Sequence, residues 1–113
     1  MKIIKLNETP EEKGSHGDYL AKELIKEGEF SHIQSFGKVT LKPEQKADMH
    51  GHEGNFEIFL VLKGKMKIVF DNEEEKECDE GTCVITESQE KHAVSNPYQN
   101  DLEMLYLTLK NND

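Results

Sequence analysis

With 113 residues, the chain is long enough for one hydrophobic core and too short for a second catalytic domain. Its 23 acidic residues against 14 basic ones give a formal net charge of -9, a field that repels nucleic acid and anionic membrane surfaces, so neither is expected as a partner. Every basic residue is lysine; arginine, the usual two-pronged clamp for phosphates and carboxylates, is missing, which turns expectation toward a small neutral or weakly anionic ligand.

In chain order, the opening MKIIKLNETPEEK has too short an apolar stretch for a signal peptide, and acidic residues follow almost at once, so the expected compartment is the cytoplasm. No apolar run reaches the length of a bilayer. From Tyr19 to Ile25, Leu20, Leu24 and Ile25 fall at helical spacing, and intrinsic propensity favours helix there. Ser31 to Leu41 predicts a strand with Ile33, Val39 and Leu41 on one face. Phe56 to Leu62 is a continuous apolar run broken by a single charge, Glu57. Met66, Ile68 and Phe70 alternate with Lys67 and Val69, as on a half-buried strand. The acidic stretch Asp71 to Glu75 reads as a solvated hairpin turn. Val84–Ile85, Ala93–Val94 and Leu102–Leu109 add further strands. Turn residues separate them at Glu53-Gly54-Asn55, Lys63-Gly64, Asp71-Asn72, Glu80-Gly81 and Asn96-Pro97. Many short strands at even spacing predict an all-β sandwich or barrel. Cys78 and Cys83, with no secretory signal before them, read as reduced thiols serving as small semi-buried residues.

The chemistry concentrates at His50-Gly51-His52 and Glu57. Residues two apart on a strand point the same way, so His50 and His52 can offer two imidazoles to one ion. Gly54 and Asn55 then reverse the chain and return Glu57 toward them. A carboxylate inside an apolar strand is costly to bury unless a cation accompanies it. The plainer reading is that Glu57 lies on a wet face and the histidines on a surface turn. His16 and His32 read as ordinary surface or loop residues.

The spacings extend further. His50, His52, Glu57 and Gly64 stand as HxH, four residues, Glu, six residues, Gly; Gly81 is followed by His92 and then Asn96. This arrangement resembles the two motifs of the cupin superfamily over Leu41 to Asn96. Glu44 stands where the first motif usually opens with glycine, and Glu87 and Gln89 replace the proline and glycine of the second. The resemblance implies an all-β double-stranded β-helix, a jelly-roll-like barrel: one cupin domain over residues 1–113 with its core at about 31–109. It implies that His50, His52, Glu57 and His92 ligate one divalent transition metal: Mn, Fe, Ni, Co, Cu or Zn. It also turns Tyr19–Ile25 toward strand, against propensity, and implies a homodimer, which the apolar character of that segment supports weakly. Phe59 and Val61 should share the inward face of Glu57, with Met104 or Tyr106 completing the wall; Glu53, Glu87, Gln89 and Lys91 are expected at the mouth.

Cupins include dioxygenases, isomerases, decarboxylases and non-catalytic binding domains. The leading expectation is a metal-dependent enzyme acting on a small metabolite in the barrel. The alternative is a binding or sensing domain without turnover. No catalytic residue beyond the ligands stands out.

Overall fold

The computed structural model describes residues 1–50, 55–87 and 90–110, with Met49 and His50 described through their backbone alone. After a short 3₁₀ turn at Leu6–Glu8 come ten strands: β1 (Glu12–Lys13), β2 (Leu20–Ile25), β3 (Ile33–Leu41), β4 (Lys46–His50), β5 (Asn55–Lys63), β6 (Met66–Phe70), β7 (Glu75–Cys78), β8 (Cys83–Thr86), β9 (His92–Ser95) and β10 (Leu102–Lys110). They form a six-stranded sheet in the order β1-β2-β3-β10-β5-β8 and a four-stranded sheet in the order β4-β9-β6-β7. Every described pairing is antiparallel. This is the double-stranded β-helix that the family resemblance implied.

Strand alternation builds the interior. Leu102 and Met104 of β10 are buried, and Met104 pairs with Val61 of β5 and Val39 of β3. The four-stranded sheet contributes Ala47, Val94, Ile68, Met66 and Cys78 to the same core. In β6, Met66 and Ile68 are buried while Lys67 is partly exposed, as the alternation predicted.

Tyr19–Ile25 resolves as the resemblance had it: a buried tyrosine followed by β2, paired with β3 on one side and β1 on the other. Tertiary pairing overrides helix propensity here. Its apolar character is thereby explained within the chain, because Tyr19 joins the core and Ala21 packs against it. One face assignment is corrected. Ile33 pairs with Leu109 while Ser35 pairs with the preceding Thr108, so a bulge at Gln34 turns Ile33 off the face shared by Val39 and Leu41.

Turns fall where glycine and acidic residues stood. Gly64 takes a φ of +85°, and a Cβ there would lie 2.3 Å from the Asp101 carbonyl oxygen, so both conformation and close approach demand glycine. The Asp71–Glu74 turn joins β6 to β7 and is exposed. Asn96, fully buried, donates from Nδ2 to the carbonyls of Leu41 (2.9 Å) and Asn100 (2.8 Å) and accepts at Oδ1 from the Tyr98 N–H (3.2 Å). It pins the chain after β9 to the end of β3. Both cysteines are free thiols; Cys78 lies in the core, where burial pushes its thiol above the usual range, and Cys83 is exposed. Among the described residues, no helix is long and apolar enough to cross a membrane.

Candidate metal and ligand site

The two sheets enclose a cavity of about 370 Å³. Its wall is set by strand register. Across the inward face of the six-stranded sheet, Thr86, Glu57, Thr108 and Ser35 form one row, and Val84, Phe59, Tyr106, Gly37 and Glu23 form the next. Phe59 and Glu57 therefore share an inward face as expected, and Met104 and Tyr106 both complete the wall.

Glu57 and His92 meet across the interior. His92, on β9 of the four-stranded sheet, is 1% exposed, and its Nε2 lies 3.3 Å from Oε1 of Glu57 on β5 of the other sheet. Phe59 packs edge-on to the imidazole, ring centroids 5.7 Å apart at 74°. His92 Nδ1 lies 3.1 Å from the Glu90 carbonyl oxygen. A carbonyl only accepts, so this contact assigns a proton to Nδ1 and turns Nε2 toward the carboxylate. A neutral ring would then set a lone pair against a carboxylate oxygen. A cation drawing on both groups would satisfy this arrangement. A carbonyl acceptor on the far ring nitrogen is also the usual support of a metal-bound histidine. Imidazole nitrogen and carboxylate oxygen are donor types that a divalent transition metal accepts.

Of the remaining sequence candidates, His50 ends β4, and its backbone is in register with His92. Its side chain, and His52 entirely, lie outside the described residues. Among the described residues, no three His, Cys, Asp or Glu side chains stand together as a metal-holding group. Glu57 and His92 are the half of the proposed set that can be seen to converge.

The family model for the cupin domain matches residues 37–108, which is more than half of the chain. The chain belongs to the cupin family. This cupin is 32% identical over 109 residues to an oxalate-binding protein of Thermotoga maritima, spanning 91% of this chain and 89% of that one. A crystal structure of a predicted oxalate decarboxylase from Thermotoga maritima superposes with a TM-score of 0.83 at 25% identity, covering 96% of this chain and 99% of that one. A sugar phosphate isomerase of the cupin superfamily from Silicibacter pomeroyi shares the fold at a TM-score of 0.79 and 16% identity, covering 96% of this chain and 76% of that one.

The mouth of the cavity differs from the sequence expectation. Glu87 and Lys91 are exposed and do not belong to the described lining, while Glu53 and Gln89 lie outside the described residues. The segment Glu12 to His16 lines the cavity instead. It is held over the mouth by backbone contacts: the Gly14 N–H donates to Tyr19 O (2.8 Å), and the Asp48 N–H of β4 donates to His16 O (2.7 Å). A Cβ at Gly17 would lie 2.3 Å from the Lys46 carbonyl oxygen, so this loop sits directly on β4. His16, read as a surface residue, is thus part of the lining, whereas His32 is exposed as expected. No motif announces this segment; only the paired Gly14 and Gly17 hint at a tightly packed loop.

Two tyrosines on the cavity wall hold their protons firmly. Burial, and secondarily the charge of Glu57, pushes the Tyr19 hydroxyl above its usual range. Burial first, and then the charge of Glu23, does the same for Tyr106.

Proposed function

We propose that this cupin binds one divalent transition metal (Mn, Fe, Ni, Co, Cu or Zn) through His50, His52, Glu57 and His92, and acts as a metal-dependent enzyme on a small metabolite held in the barrel. The observation that carries the reading is the meeting of Glu57, which lines the cavity, with the buried His92, whose Nε2 lies 3.3 Å from Glu57 Oε1. The metal, when bound, supplies Lewis acidity to polarise a ligand oxygen. The chain's own residues do the rest. His92 is contacted by the Glu90 carbonyl and by Phe59; Val39, Phe59 and Met104 supply apolar wall for the ligand; and Glu12 to His16 line the cavity from the N-terminal segment. The reaction type belongs among the dioxygenase, isomerase and decarboxylase chemistries of the family.

A second reading, a small-molecule-binding or sensing domain without turnover, draws on the oxalate-binding relative. The proposal includes a homodimer, as the family resemblance implies, which sedimentation of the purified chain tests.

The deciding measurement is elemental analysis of protein purified without added metal or chelator, beside the His50→Ala/His92→Ala double variant. About one equivalent of a transition metal is expected in the native chain and none in the variant. Equal metal in both, or none in either, sinks the four-ligand reading. With metal confirmed, stabilisation by a candidate ligand without product formation selects the binding domain over the enzyme.

A further inference from the structure

The cavity wall beside Glu57 carries a hydrogen-bond chain with a fixed direction. Ser35 Oγ lies 2.6 Å from Glu23 Oε2 and 2.9 Å from Tyr106 Oη. A carboxylate can only accept, so the single Ser35 proton goes to Glu23. Ser35 Oγ is then the acceptor in its contact with Tyr106, and Tyr106 spends its proton there. What Tyr106 turns to the cavity is a lone pair. Gly37 makes this geometry possible, since a Cβ at that position would lie 3.0 Å from the Tyr106 Oη and 2.2 Å from the Lys22 carbonyl oxygen.

The surrounding charge agrees. Among the described lining residues, carboxylates come from Glu12, Glu23, Glu27 and Glu57, and the lysine is Lys13 at the mouth, 3.4 Å from Asp18. We infer that the part of the ligand facing Tyr106 is a hydrogen-bond donor, a hydroxyl or an ammonium group, and that Tyr106, with its polarity fixed by Ser35 and Glu23, selects against a second carboxylate. The inference rests on the proposed reading of this cavity as the ligand site, and it separates this cupin from its oxalate-binding relative in ligand class. A carboxylate placed there would face an acceptor oxygen near the half-buried carboxylate of Glu23, and the Tyr106 proton is already committed to Ser35.

A matched series tests it: 4-hydroxybutyrate, 4-aminobutyrate and succinate, which share one carboxylate and a chain length and differ at the remote end. Binding is measured by calorimetry on the full chain, with metal content determined on the same samples. The hydroxy and amino compounds are expected to bind tighter than succinate by about tenfold or more, because a site of fixed hydrogen-bond polarity penalises a mismatched group heavily. Ser35→Ala frees the Tyr106 proton to point into the cavity, so succinate gains and the ratio falls toward one. Tyr106→Phe removes the acceptor, and 4-hydroxybutyrate loses its advantage. Succinate binding as tightly as the others, binding by none of the three, or an unchanged ratio in Ser35→Ala overturns the inference. Metal present with no discrimination defeats this inference alone. Discrimination without metal defeats the metal reading and leaves the ligand preference standing.

Discussion

Glu44 occupies a position where the backbone asks for glycine. The Gln45 N–H donates to the Lys42 carbonyl (3.0 Å), closing a turn with Pro43 and Glu44 at its centre, and Glu44 has a φ of 73°. Proline followed by a positive-φ residue is the pattern of a type II turn, whose third position favours glycine. The departure from the family motif at Glu44 therefore has a conformational cost, because a Cβ is disfavoured in the left-handed region. The side chain is exposed and its N–H donates to the Asn96 carbonyl, a contact that glycine keeps. Glu44→Gly is expected to stabilise the protein by roughly 0.5–1 kcal/mol, the relief of strain being partly offset by the freer unfolded chain. In thermal melting this is a rise of about 2–4 °C for a domain of this size. A fall in Tm would mean that the glutamate side chain stabilises the turn by more than the strain it brings.

At the scale of the strands, β10 is the centre of the six-stranded sheet, and its outward face carries a cross-strand charge ladder. Glu103 is in ion-pair contact with Lys38 of β3 and lies 4.0 Å from Lys63 of β5. The hydrogen bond from Lys38, together with the charges of both lysines, holds the Glu103 carboxyl below the usual carboxylate range. A depressed folded-state value means that the carboxylate stabilises the fold above the ordinary titration range and loses that contribution as pH falls through the depressed value. Glu103→Gln is expected to cost roughly 0.5–1 kcal/mol at pH 7. Denaturant unfolding should show the gap between wild type and variant closing as pH drops well below 4, and shrinking in high salt. A gap of constant size at all pH values would assign the loss to packing instead of charge. The same strands explain what the sequence could and could not reveal. Alternation in β6 is legible because it buries one face, and HxH, Glu57 and His92 are legible because they stand at the spacings of the family's two motifs. The bulge at Gln34 leaves no trace in composition, so the face of Ile33 was misassigned. Glu23, Ser35 and His16 were missed because a cavity wall assembled from β2, β3 and a loop has no shared spacing along the chain; only the pairing of β2 with β3 brings Glu23 beside Gly37.

The whole molecule joins two sheets, and the proposed metal ligands are divided between them. His50 and His92 belong to β4 and β9 of the four-stranded sheet, while Glu57 belongs to β5 of the six-stranded one. The sheets pack through one apolar core, with Val94, Ile68 and Met66 from one and Leu41, Val61 and Met104 from the other. An ion bound by donors from both sheets acts as a staple across the barrel, and an unfolded chain has no such preformed site. Binding confined to the folded state must then raise stability with the logarithm of free metal, by about 2.7 kcal/mol when metal stands at a hundredfold over its dissociation constant. Melting curves recorded across a titration of Mn, Ni or Zn should shift upward on that law and return to baseline with a chelator. His50→Ala removes a donor at the end of β4 and should abolish the shift, since the remaining groups no longer span both sheets with a full set. The net charge of -9 supplies many exposed carboxylates that can hold divalent ions weakly, and these make the comparison sharp. A shift of equal size in the variant would place the stabilising ion on that acidic surface, outside the barrel, and the cross-sheet staple would be wrong.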